Sequence, residues 1–97
     1  MCGILGVISR DNFSDSEITK MLDAMNHRGP DGRGIQNFGR IGKNFLTLGH
    51  VRLAILDLSD RGHQPMEYDS RYSITFNGEI YNYKEIRSEL KKKGLFL

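Results

Sequence analysis

The sequence contains one cysteine, Cys2, two prolines and no tryptophan. A single cysteine excludes an internal disulfide, so this thiol is either a small packed side chain or a reactive group. No apolar run approaches the roughly 18 residues that a membrane-spanning helix needs, and the N-terminus lacks the basic segment and apolar stretch of a signal peptide. These absences predict a cytoplasmic protein without a membrane partner.

The chain also lacks an excess of charge of one sign. Its 14 basic and 12 acidic residues are interspersed and give a net charge of +2, a balance that predicts no nucleic-acid partner. Ninety-seven residues, 38% of them hydrophobic, suffice for one small domain with a small core. Because the chain ends on the apolar triplet 95–97, we expect residues 1–97 to be the N-terminal part of one domain, with no second domain present.

The first half of the chain predicts one strand, one helix and a long loop. A continuous apolar run predicts a strand over 3–9 that is buried on both faces. Ser14 and Glu17 form a capping box, in which each side chain can bond the other residue's amide. It opens an amphipathic helix that is predicted over 15–27. The many glycines over 28–43 predict a loop with only a short strand inside.

The second half predicts further strands and one helix. Side chains alternate along a strand, so Arg52 is predicted to lie on the opposite face from Val51 and Leu53. The predicted elements are strands over 45–48, 49–58 and 72–76, a polar loop over 59–70, and a helix from about 83 to 93 that Asn82 caps. Mixed strands and helices of this kind indicate an α+β fold.

The position of Cys2 decides how its thiol is interpreted. A lone cysteine in an apolar strand is more often a packing residue than a chemical one. Only at residue 2, behind a removable Met1, can a thiol and a free α-amine share one residue. An α-amine has an ordinary pKa of about 7.7 to 8.0, so it is a plausible base for the thiol. The sequence therefore favours Cys2 as a nucleophile, with Gly3 leaving room for a substrate.

Two further segments carry candidate binding groups. Arg52 offers a rigid fork that suits a carboxylate, although a solvent-facing arginine on a half-exposed strand fits its local pattern equally well. The Asn77 side chain and the Gly78 amide can direct two donors at one oxyanion, and Glu79 could hold an ammonium group. Taken alone, the pair Asn77-Gly78 favours an ordinary turn.

Two other kinds of site are excluded by spacing. Gly34 and Gly39 have the separation of the glycines in a phosphate-binding loop, but Arg40 and Ile41 stand where such a loop carries lysine and serine or threonine. The three histidines match no usual metal-ligand spacing, and Cys2 is the only thiol, so no metal site is predicted.

Five motifs in order resemble one known family. The chain is similar to the glutaminase domain of class II glutamine amidotransferases of the asparagine synthetase B type, which are N-terminal nucleophile hydrolases. The resemblance spans essentially the whole chain and implies a four-layer αββα sandwich, here truncated. The motifs are Met-Cys-Gly-Ile at 1–4, His-Arg-Gly-Pro-Asp at 27–31, Gly-His-Val-Arg-Leu-Ala-Ile-Leu-Asp at 49–57, Gly-His-Gln-Pro-Met at 62–66 and Asn-Gly-Glu-Ile-Tyr-Asn at 77–82.

The resemblance implies a role in glutamine hydrolysis for each candidate residue. Cys2, freed by loss of Met1, would attack the side-chain amide. The segment 27–31 is a hallmark of the family, but it receives no chemical role. The other implied roles are an oxyanion hole at Asn77 and Gly78, a carboxylate clamp at Arg52, an ammonium partner at Glu79, and pocket-lining backbone at Leu53 and Ile55.

The resemblance also implies partners. Ammonia from glutamine would pass to a synthetase domain that uses ATP and magnesium to activate an acceptor carboxylate such as aspartate, whereas this chain itself needs no cofactor. Two alternatives stay open. The acceptor could be a sugar or another non-aspartate compound, or the chain could be a catalytically incomplete module that folds or forms a homo-oligomer. In the family, a Ser-Asp-Thr-Glu-like motif that follows the second helix completes the α-amine site, and residues 1–97 end just before the place where it is expected.

Overall fold

The computed structural model of the chain describes residues 2–54 and 62–95. It has a mixed α/β architecture with two antiparallel sheets, which agrees with the α+β prediction at this coarse level. In chain order the elements are β1 (Gly3–Ser9), α1 (Asp15–Asp23), a 3₁₀ turn (Asn26–Arg28), β2 (Gly32–Ile41), β3 (Asn44–Arg52), β4 (Met66–Tyr68), β5 (Tyr72–Ile74) and α2 (Tyr83–Lys92).

The larger sheet has the order β1-β3-β2, so β3 lies at its centre. Gly3 stands opposite Val51 in the β1–β3 pair, and Gly32 stands opposite Arg52 in the β2–β3 pair. The carboxyl end of β3 therefore lies beside the start of both neighbouring strands. This register brings the N-terminus of the chain to Arg52.

The prediction of a loop over 28–43 is wrong, because most of this segment is the ten-residue strand β2. Its glycines do not interrupt the strand; two of them lie where it has a bulge or a close backbone contact. Gly39 has φ +70° at a bulge where the register shifts after Asn37, and the Asn37 Oδ1 atom accepts from its amide at 2.8 Å. Gly34 is approached closely by the Gln64 carbonyl, which leaves no room for a Cβ atom.

The predicted division into strands over 45–48 and 49–58 is also wrong. One continuous strand, β3, passes through Gly49, where a Cβ atom would lie 3.2 Å from Leu22 of α1. Residues 55–58 of the prediction lie outside the described residues. β4 falls within the predicted polar loop, and β5 ends at Ile74 instead of 76.

A small core joins α1 to one face of the larger sheet. Ile18, Leu22 and Val51 are fully buried, and partly buried apolar side chains surround them, namely Leu5, Val7, Phe13, Met21, Met25 and Ile35. The predicted capping box is confirmed, since Ser14 Oγ accepts from the Glu17 amide at 3.2 Å and Glu17 accepts from the Ser14 amide. The helix ends at Asp23 instead of 27, because the chain turns through 26–28 to reach β3.

One prediction about burial and one about helix capping are wrong. β1 is covered on one face only: Ile4 and Ile8 on the other face are 50% and 73% exposed. The range predicted for α2 is confirmed, but Asn82 makes no capping hydrogen bond and no residue of α2 is buried. Across the described ranges, no helix is long and apolar enough to cross a bilayer.

Candidate active site

The Cys2 thiol lies against the backbone of Leu53. The Leu53 amide donates to Sγ at 3.3 Å, and the thiol lies 3.7 Å from the Leu53 carbonyl oxygen. Cys2 just precedes β1 and Leu53 just follows β3, so the β1–β3 register brings the two together from opposite ends of the sequence. The thiol is half-buried. A predicted nucleophile and a predicted pocket-lining backbone are thus neighbours.

The segment 27–31, which had no predicted chemical role, holds both partners in place. Arg28 Nε donates to the Cys2 carbonyl oxygen at 3.2 Å. The Asp31 amide donates to the Arg52 carbonyl at 2.9 Å, and the Asp31 carboxylate accepts from the Ala54 amide at 2.8 Å. Asp31 therefore forms hydrogen bonds to Arg52 and Ala54, the residues on either side of Leu53.

Gly29 is required for this contact. A Cβ atom there would lie 2.5 Å from the Val51 carbonyl carbon and 2.6 Å from the Arg52 nitrogen. Both are backbone atoms of β3, so they could give way only if the strand itself shifted. The next residue, Pro30, forms a parallel bridge to Arg52. The Gly-Pro pair thus lets one backbone lie directly on another.

Arg52 ends β3, and its side chain lies on the face away from Val51, as predicted. Continuing the register by one residue beyond Gly3 places Cys2 opposite Arg52 on that same face. The guanidinium lies over Gly62, where a Cβ atom would be 2.5 Å from Nη2. Cys2, Leu53 and Arg52 therefore form one group at the end of the sheet.

Part of the predicted oxyanion and ammonium site lines a hollow in the structure. Asn77 is half-buried, and Gly78 and Glu79 are exposed. A hollow of about 390 Å³ is lined by Phe76, Gly78, Glu79, Ile80, Tyr81 and Tyr83. Its wall carries the predicted oxyanion residue Gly78 and the predicted ammonium partner Glu79, but not Asn77, Cys2 or Arg52. Ile55, the remaining predicted contact, lies outside the described residues.

His50 is a buried polar residue that sequence reasoning did not single out. It lies two residues before Arg52 on β3 and is 1% exposed. Burial lowers the pKa of its imidazole, the Phe76 backbone opposes this by raising it, and nearby His63 and Arg52 lower it further. Its Nε2 atom has no hydrogen-bond partner in the described part of the chain. The sequence did contain a signal for this residue, because His50 lies two positions before Arg52 and therefore on the same face of the predicted strand.

Among residues 2–54 and 62–95, no group of three or more histidine, cysteine, aspartate or glutamate side chains could hold a metal ion.

A glutamine amidotransferase domain model matches residues 1–97, the whole chain. This chain belongs to the glutamine amidotransferase domain family. Similar curated proteins include a putative glutamine-hydrolyzing asparagine synthetase 2 of Methanocaldococcus jannaschii, 45% identical over 92% of this chain and 20% of that protein. Glutamine-hydrolyzing asparagine synthetases of Bacillus subtilis and Brassica oleracea are 41% and 42% identical, over 97% and 94% of this chain and 15% of each relative.

These relatives confirm the family that the motifs of this amidotransferase chain indicated. The chain spans a fifth or less of the length of each of the three relatives. No solved structure matches it significantly.

Proposed function

We propose that this chain hydrolyses the side-chain amide of glutamine within an asparagine-synthetase-type enzyme, with Cys2 as its N-terminal nucleophile once Met1 is removed. The observation that carries the proposal is the placement of the Cys2 thiol beside the Leu53 backbone, 3.3 Å from its amide, at the head of β1. The family match from residue 1 onward supports the same conclusion.

In the first stage the α-amine of Cys2 takes the thiol proton, and sulfur adds to the amide carbon of glutamine. Negative charge then develops on the amide oxygen, toward the donors of Asn77 and Gly78. Such donors act on the transition state because the charge is largest there. The ammonium passes a proton to the leaving nitrogen, the C–N bond breaks, and ammonia departs from a glutamyl thioester.

In the second stage water replaces the leaving group. The neutral α-amine removes a proton from water as oxygen adds to the thioester carbon. The C–S bond then breaks, sulfur regains a proton, and glutamate leaves. One residue thus supplies both the nucleophile and the base for both stages, so its backbone must be held firmly. The Arg28 bond to the Cys2 carbonyl supports this requirement.

Glutamine would be oriented by charge at its α-carbon. Arg52 would bind the α-carboxylate through its planar fork, and Glu79 would bind the α-ammonium. The backbone near Leu53 and Ile55 would line the chain between them. Arg52 lies on the same sheet face as Cys2, which supports its role.

We assign the chain to the N-terminal part of a four-layer αββα domain whose ammonia serves a synthetase domain. ATP and magnesium belong to that second domain, where they would activate the acceptor carboxylate, and no step at Cys2 is routed through them. The acceptor that we propose is aspartate, as the names of the relatives suggest.

A second candidate function is self-association without catalysis. Ile4 and Ile8 on the outer face of β1 are exposed, and β1 is an edge strand of the sheet in its described part. An unpaired apolar edge favours pairing with a second copy. An inactive oligomer would favour this candidate over the enzymatic one.

The test uses the product of the complete reading frame and its Cys2→Ala variant. We expect mass spectrometry to find Met1 removed, and wild type to release glutamate from glutamine. A diazoketone analogue of glutamine should label Cys2, with free glutamine protecting it. The variant should lose both activity and label. A free N-terminal Cys2 that neither reacts nor supports glutamate release would overturn the proposal, and light scattering would then test for the oligomer.

A further inference from the structure

Side chains from two separate segments hold the backbone just before Asn77. The Phe76 amide donates to Gln64 Oε1 at 2.6 Å. The Phe76 backbone also raises the pKa of the buried His50 imidazole, as a nearby hydrogen-bond partner does. One residue earlier, the Thr75 hydroxyl donates to the Gly49 carbonyl at 3.1 Å. We call His50, Gln64 and Thr75 the Phe76 clasp.

The clasp is anchored in the centre of the larger sheet. His50 is 1% exposed on β3, so its ring has little freedom to move. Gln64 packs against β2 at Gly34, where its carbonyl group leaves no room for a Cβ atom, and His63 would lie 3.0 Å from such an atom. Both strands that flank the clasp therefore fix its position.

The same strand carries Arg52, two residues beyond His50. A strand rises about 3.3 Å per residue, so the anchor of the clasp lies within about 7 Å of the Arg52 backbone. Asn77 and Gly78 follow Phe76 directly in sequence. An oxyanion hole works only when its donors stand close to the position of the developing charge, and misplacement by about 1 Å can cost roughly 100-fold in rate.

We infer that His50, Gln64 and Thr75 are positioning residues, which hold the Asn77–Gly78 donors at a fixed place relative to the Arg52 end of β3. This inference rests on the proposed function, because the donors matter only if an oxyanion forms. The clasp residues do not touch the substrate. They act through Phe76.

The variants separate the hydrogen bond from the shape of the side chain. Gln64→Leu removes the acceptor for the Phe76 amide, whereas Gln64→Glu keeps an oxygen in its place. Gln36→Leu is the matched control, since Gln36 on β2 donates to Glu67 at 3.5 Å and is outside the clasp. Thr75→Val is a second clasp variant of similar size, with Thr75→Ser as its conservative partner.

In the product of the complete reading frame, we expect Gln64→Leu to lower kcat for glutamate release about 10- to 100-fold, with KM for glutamine within about 3-fold. Gln64→Glu should recover most of kcat, and Gln36→Leu should match wild type. Alkylation of Cys2 by iodoacetamide should be equal in all variants, because it needs no oxyanion hole. The Phe76 amide should exchange hydrogen about 5- to 10-fold faster in Gln64→Leu, as the loss of one hydrogen bond predicts.

Wild-type kcat in both Gln64→Leu and Thr75→Val would overturn the inference, as would an equal loss in Gln36→Leu. If wild type releases no glutamate, the proposed function fails. Hydrogen exchange of the Phe76 amide then remains as the test of the clasp. Unchanged exchange of the Phe76 amide in Gln64→Leu then overturns it, and faster exchange supports the clasp as a structural link.

Discussion

At the scale of single residues, Asp31 makes the contacts that place Leu53 beside the thiol. Its carboxylate accepts from the Ala54 amide at 2.8 Å, and its own amide donates to the Arg52 carbonyl. A hydrogen bond to a charged group contributes about 1.5 to 3 kcal/mol. We therefore predict that Asp31→Ala lowers kcat/KM for glutamine roughly 10-fold or more, whereas Asp31→Asn, which keeps an acceptor oxygen, retains most of it.

The control for this prediction is Asp23→Asn. Asp23 pairs with Arg33 at 2.6 Å, but its side chain is 60% exposed. An exposed ion pair contributes at most about 1 kcal/mol, so this variant should keep wild-type kinetics. Equal activity in Asp31→Ala and wild type, measured by glutamate release, would show that Leu53 does not need the Asp31 hydrogen bonds.

The roles of Arg28 and Asp31 could not be predicted from the sequence, although their motif stood out. Their partners lie 26 and 23 residues away, and only the strand register decides that the segment crosses the end of β3. Cys2 could be identified because its chemistry depends on its place in the sequence rather than on a distant contact. Gly29 illustrates the same limit, since its need for a hydrogen instead of a Cβ comes from Val51 and Arg52.

At the scale of elements, α1 depends on a local cap. Ser14 Oγ accepts from the Glu17 amide at 3.2 Å and thereby satisfies one of the free amides at the helix start. We predict that Ser14→Ala lowers the free energy of unfolding by about 1 kcal/mol. Urea unfolding followed by circular dichroism measures this loss.

Ser16→Ala is the matched control, because Ser16 is exposed within the first turn of the same helix. Alanine has the higher helix propensity, so this variant should be neutral or slightly stabilising. Equal destabilisation by the two substitutions would mean that the box contributes nothing beyond propensity.

The contrast between α1 and β2 explains which elements the sequence could predict. Four consecutive residues, 14–17, determine the start of α1. Because this signal is local, the sequence alone could predict it, and the structure confirms the prediction. β2 was missed because its glycines resemble loop residues until their neighbours are known: Gly34 faces Gln64, and Gly39 occupies a bulge. Close backbone approach is a property of the packed sheet, and single-segment patterns do not contain it.

At the scale of the whole molecule, the two faces of the larger sheet have different purposes. One face packs on α1 and holds the core of Ile18, Leu22 and Val51. The other carries Arg52 and the Phe76 clasp, together with the apolar side chains of Leu46, Leu48, Ile4 and Ile8. Because side chains alternate along β3, this one strand contributes to both the core and the candidate site. A change in protonation at His50 should therefore change the free energy of unfolding of the whole chain.

His50 gives a prediction for stability against pH. Burial lowers the pKa of its imidazole in the folded chain below the ordinary 6.5, with His63 and Arg52 acting in the same direction and the Phe76 backbone opposing them. Below pH 6.5 the unfolded chain binds a proton at this residue more readily than the folded chain does, so protons favour unfolding. We expect the contribution of His50 to stability to be complete well above pH 6.5 and to be lost progressively as the pH falls below it. Urea unfolding at pH 7.5 and pH 5 should show a smaller fall in the free energy of unfolding for His50→Gln than for wild type, whereas the exposed control His27→Gln should show the same fall as wild type.

If His50→Gln lost as much stability as wild type over this interval, the folded chain would have to accommodate a charged imidazole beside Arg52. The neutral, buried state of His50 would then be wrong.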